Sequence, residues 1–99
     1  MSRFTEDAAG ILDAAESASA RGYACSEMTI LIGQDGAIRM VADSDWPLDS
    51  LAAHHGAQTA YRVSERCGSV RVEGREGTRK CVLESPKPSH VARLMLAAR

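Results

Sequence analysis

The sequence predicts an α+β domain: a single five-stranded, mostly antiparallel sheet with helices, in the element order α-β-β-α-β-β-β-α. Three observations predict it. Apolar residues near the N-terminus recur at helical spacing, residues 28–32 form an almost unbroken apolar run, and short polar turns separate the β-rich segments that follow.

The first helix is expected over residues 6–21. Thr5 is suited to cap it, and Glu6 and Asp7 sit at the positive end of its dipole. Its apolar stripe is Ala8, Ile11, Leu12, Ala15 and Ala18, and Arg21-Gly22 makes a fitting end. Strands are then expected at 27–33 and 37–42 around the turn dipeptide Asp35-Gly36. With those two residues as the turn, Leu31, Ile38 and Met40 share one face, and Ile30, Ile32 and Val41 the other. Both faces are then apolar, so the hairpin is expected to be central and covered on both sides.

Pro47 opens a short helix over 47–55, capped by Ser44 or Asp45, with Leu48, Leu51, Ala52 and His55 on one face and Gly56 as its stop. Strands follow at 59–66 and 69–74, joined through Cys67-Gly68. That turn sets Val63 opposite Val72 and Arg62 opposite Glu73, an apolar pair and an opposite-charge pair. Cys81, Val82 and Leu83 mark a fifth strand over 79–84, and Pro86 and Pro88 end it. A last helix over 89–98 would present Val91, Leu94, Met95 and Ala98. The first and fifth strands are the apolar ones, and they are expected to pair at the centre of the sheet. This order of elements resembles that of roadblock and profilin-like domains and, more loosely, of the sensory PAS domains.

At 99 residues the chain is expected to be one domain, 1–99. With 44% hydrophobic and only 4% aromatic residues, the core must come mainly from aliphatic side chains. Nothing near the N-terminus reads as an export signal, and no apolar run is long enough to span a membrane. The three cysteines, Cys25, Cys67 and Cys81, are odd in number and unpatterned, which argues against a disulfide framework and for a cytoplasmic protein. Arginine outnumbers lysine ten to two, a bias that fits a GC-rich bacterial genome.

No set of residues points to catalysis. Asp43 and Asp45 lie where a strand gives way to a helix, where such residues cap rather than bind metal. His54, His55 and the cysteines lack the short paired spacing of zinc sites, and no local signature marks a Cys-His nucleophile. The glycines at 33–36 and 74–77 join strands and read as turns, not phosphate loops. Neither metal nor cofactor is expected.

Charge is unevenly placed. Residues 1–61 carry three basic against nine acidic residues, and residues 62–99 carry nine basic against four acidic. Arg62, Arg71, Arg75, Arg79 and Lys80 form a candidate interaction surface, although Glu65, Glu73, Glu76 and Glu84 interleave with them and favour a salt-paired face. Trp46 is expected to pack beneath the short helix; exposed, it would be a contact anchor. The leading expectation is a non-enzymatic interaction or regulatory module that forms a homodimer or binds another protein. One alternative is a nucleic-acid-binding accessory protein using the basic half. Another is a PAS-like sensor of a small ligand.

Overall fold

The computed structural model describes residues 3–21, 27–42, 46–66 and 69–86. The expected last helix, Cys25, the Asp43-Ser44-Asp45 stretch and the Cys67-Gly68 turn lie outside the described residues. Among the described residues two helices, α1 (Arg3–Ala20) and α2 (Leu48–His54), accompany five strands. These are β1 (Glu27–Ile32), β2 (Ile38–Ala42), β3 (Thr59–Arg66), β4 (Ser69–Glu76) and β5 (Arg79–Pro86). They form one fully antiparallel sheet in the order β2-β1-β3-β4-β5.

The α+β class and the succession of these seven elements are as expected, but the pairing differs. β1 does not pair with β5. Only two residues separate β3 from β4 and β4 from β5, so the three strands must lie side by side as successive antiparallel neighbours. That leaves only the free edge of β3 for β1. β3 is therefore central, and β5 is an edge strand whose Val82 is 41% exposed. Within the β3–β4 hairpin the register is as expected, with Val63 opposite Val72 and Arg62 opposite Glu73.

The β1–β2 register is shifted by one residue from expectation. Gly36 N–H donates to Gly33 O and Gly33 N–H to Ala37 O, which closes a three-residue loop over 34–36. Gly36 takes the left-handed conformation, φ 82°, that such a loop needs near its end. Ile32 then faces Ile38, and Ile30 faces Met40. A one-residue shift moves every side chain of a strand to the other face. Ile38 and Met40 thus join Ile30 and Ile32, while Leu31 lies opposite Arg39.

α1 packs over β3, β4 and β5. Its stripe begins earlier than expected, at Phe4, and Thr5 lies inside the helix, not at its cap. Phe4 and Ala8 bury against Ile30, Tyr61, Val63, Val70 and Val72. Gly74 makes this close approach possible, since a Cβ there would stand 2.9 Å from the rings of both Phe4 and Tyr61. On the opposite face the shorter α2 sets Leu48 and Leu51 over Leu31 and Ala60. Pro47 is the N-cap of α2, one place before the first turn, and its carbonyl accepts from Leu51 N–H.

α1 does not reach across β2. Ile38 and Met40, expected in the core, are consequently 65% and 67% exposed. Among the described residues the hairpin is not covered on both sides.

Candidate interaction surfaces

Strand alternation places Arg62, Arg71, Arg75 and Lys80 on the α2 face of the sheet. Arg79 stands on the other face, its guanidinium 5.3 Å from the centre of the Phe4 ring and 3.0 Å from Glu76 Oε1. The six expected surface residues therefore do not form one patch.

On the α2 face each of three cations meets a carboxylate. Arg62 Nε lies 3.2 Å from Glu27 Oε1, Lys80 Nζ 3.4 Å from Glu73 Oε1, and Arg71 Nη1 3.9 Å from Glu73 Oε2. Arg75 is directly opposite Lys80, a like-charge pair. Beside Arg62, Ser64, Arg71 and Glu84 line an open polar cleft of about 500 Å³. Positive charge at this cleft is offset residue by residue, which leaves little net field to gather phosphates.

Trp46 is 53% exposed and does not pack beneath α2. Its main-chain carbonyl accepts a hydrogen bond from Arg62 Nη2, and its ring lies 5.5 Å from that of His54. His55 is half-buried and hydrogen-bonded: Arg39 Nη1 donates to its Nδ1 over 3.0 Å. Arginine is always a donor, so His55 accepts here through an unprotonated Nδ1. Among the described residues no group of His, Cys, Asp or Glu is arranged to hold a metal ion. Cys81 is half-buried on the α1 face, away from His54 and His55 on the other side of the sheet, and burial pushes its thiol above the ordinary value.

For the second surface, the apolar hairpin and the Ala-rich first helix lead from sequence to an uncovered apolar seam, but they do not place it. Between α1 and the β1–β2 hairpin runs an apolar groove of about 660 Å³, with Ile30, Ile32, Ile38 and Met40 as its floor. Its wall is Gly10, Ala14 and Ala18, one small residue per turn along α1. The Ala-rich composition of the first helix was the available signal, because a small-residue wall covers little of a sheet. Sequence periodicity does not report which strand is an edge, and so it missed the floor.

Comparison with known protein families, curated proteins and solved structures finds no match to this chain. The roadblock, profilin-like or PAS-like resemblance thus stays at the order of elements. Among the described residues no helix is long and apolar enough to cross a membrane.

Proposed function

We propose that this protein is a non-enzymatic interaction module of the bacterial cytoplasm that works as a homodimer. One observation carries the reading: two large apolar side chains, Ile38 and Met40, stand exposed on an edge strand at the mouth of an apolar groove. Isolated exposed apolar residues are ordinary, but a contiguous apolar strip with a wall and a floor is the kind of surface that partners cover. The salt-paired α2 face supports this reading over nucleic-acid binding, because the carboxylates there weaken any attraction for phosphates. The cytoplasmic setting is supported by the odd, unpatterned cysteines, and the bacterial one by the arginine bias.

Sedimentation equilibrium at physiological salt tests it. A reversible monomer–dimer equilibrium in the micromolar range is expected. A single species at the 10.6 kDa chain mass throughout that range would remove the self-association and weaken the module reading with it.

A further inference from the structure

The two edges of the sheet are built differently. β5 carries Arg79, Lys80 and Glu84 along its length and ends at Pro86, which has no N–H to donate. Charges and proline are the usual means by which an edge strand is kept from pairing with another chain. β2 has neither proline nor acidic residue, and Arg39 is its one charge. Among the described residues no element pairs with its outer edge.

The direction of the free main-chain groups follows from one bond. Gly33 N–H donates to Ala37 O, so 33/37 is a hydrogen-bonded position of the β1–β2 ladder. By alternation Leu31/Arg39 and Thr29/Val41 are the next ones. The N–H and C=O groups of Ile38, Met40 and Ala42 therefore point away from β1, to the side where no described strand lies.

We infer that β2 is the dimer seam: it pairs antiparallel with β2 of a second copy, with Met40 on the twofold axis. This rests on the self-association proposed above and specifies its geometry. Met40 is the midpoint of the five-residue strand, so this register uses the whole of it. Met40 meets Met40 of the second copy, Ile38 faces Ala42, and Arg39 faces Val41, with no like charges opposed. The outward groups of Met40 meet as a hydrogen-bonded pair, as an antiparallel twofold requires. The sheet continues through the seam, and the two apolar grooves join above it. An edge of five residues buries less than the about 1,200 Å² at which specific interfaces usually begin, so the dimer is weak and exchanges at micromolar concentration.

Cysteine cross-linking tests the seam. In a chain with Cys25, Cys67 and Cys81 changed to Ala, and shown folded by circular dichroism, Met40→Cys and Ile38→Cys are compared under mild oxidation. The Met40 positions are about 5.5 Å apart across the axis, within reach of a disulfide. The two Ile38 positions are about 14 Å apart, out of reach. A covalent dimer from Met40→Cys and not from Ile38→Cys is expected. A chain that sediments as a dimer yet fails to cross-link through Met40→Cys, or does so equally through both, overturns this seam and leaves self-association standing. A chain that sediments only as a monomer overturns both. As a second arm, Met40→Lys sets two ammonium groups against each other and is expected to weaken the dimer at least tenfold without changing the monomer's melt. An unchanged dimer constant overturns the seam.

Discussion

The Tyr61 hydroxyl donates to the main-chain carbonyl of Phe4 over 3.2 Å, which ties the first turn of α1 to the central strand. Their rings lie 5.7 Å apart, and Tyr61 is fully buried. Burial first, then the Asp7 carboxylate, pushes the phenol well above its ordinary value. In the unfolded chain a tyrosine loses its proton near pH 10, whereas the folded chain retains it to higher pH. The linked stability is therefore full below about pH 10 and falls as pH rises beyond it. Urea midpoints measured from pH 8 to 11 should drop more steeply for the native chain than for Tyr61→Phe. Parallel curves would contradict the linkage. At neutral pH, Tyr61→Phe should cost about 1 kcal/mol for the lost hydrogen bond.

Two glycine-to-alanine changes should act with opposite signs. At Gly74 the new methyl would stand 2.9 Å from Phe4 and Tyr61, so the helix must shift, at a cost of about 1–3 kcal/mol. At Gly10, on α1, nothing lies within 4 Å of the added Cβ. Better helix propensity there should add about 0.5–1 kcal/mol. Denaturant melts of the two variants check the pair, and equal effects would mean that α1 is not seated over Gly74.

Leu31 is 2% exposed and closes the smaller core with Leu48, Leu51 and Ala60. Truncation to Ala should cost about 2–5 kcal/mol, as for other buried leucines. A loss below about 0.5 kcal/mol in a two-state melt would place β1 elsewhere.

Thr29 is buried on the same face, and among the described residues its hydroxyl has no hydrogen-bond partner. A buried hydroxyl without a partner carries a desolvation cost of about 1–3 kcal/mol. Thr29→Val keeps the shape and removes that cost, so the variant should melt higher than the native chain. A lower melting temperature would show that the hydroxyl has a partner in solution.

Arg62 joins two elements, reaching Glu27 of β1 and the carbonyl of Trp46 at the entrance to α2. Arg62→Ala should cost about 1 kcal/mol, since both groups are partly exposed and screened. It should also change the emission of Trp46, the sole tryptophan. Glu27→Gln, which weakens only the ion pair, should leave that emission unchanged. A change from both variants, or from neither, would contradict the link to Trp46.

The legible and illegible parts of the fold divide at the turns. Between β3 and β4 only two residues are free, and a loop that short leaves one register for Val63 and Val72 to find. Between β1 and β2, Asp35-Gly36 reads as a complete turn, but Gln34 belongs to the loop as well. Asp35 Oδ1 accepts from Ala37 N–H and helps hold the wider loop. That single residue reverses the side on which Ile38 and Met40 stand, and with it the difference between core and surface. Apolar content alone suggested β5 as central, yet a strand with Cys81 and Leu83 under one helix needs cover on only one face. The basic residues were legible as residues, and their pairing with Glu27 and Glu73 was not, because both partners come from other positions of the sheet.

The strand order also sets a sequence of events in time. Two residues separate β3 from β4 and β4 from β5, and hairpins with connections that short close within about 1–10 μs. The β1–β3 ladder is of another kind: it pairs Thr29 with Arg62, and the chain between them includes β2 and all of α2. Entropy lost in closing so long a loop must be met before any of its contacts are gained. The meander of β3, β4 and β5 therefore zips first and the β1–β2 hairpin docks onto it as a late arrival. The rate of folding is set where distant parts of the chain meet, at the β1–β3 ladder and beneath α1.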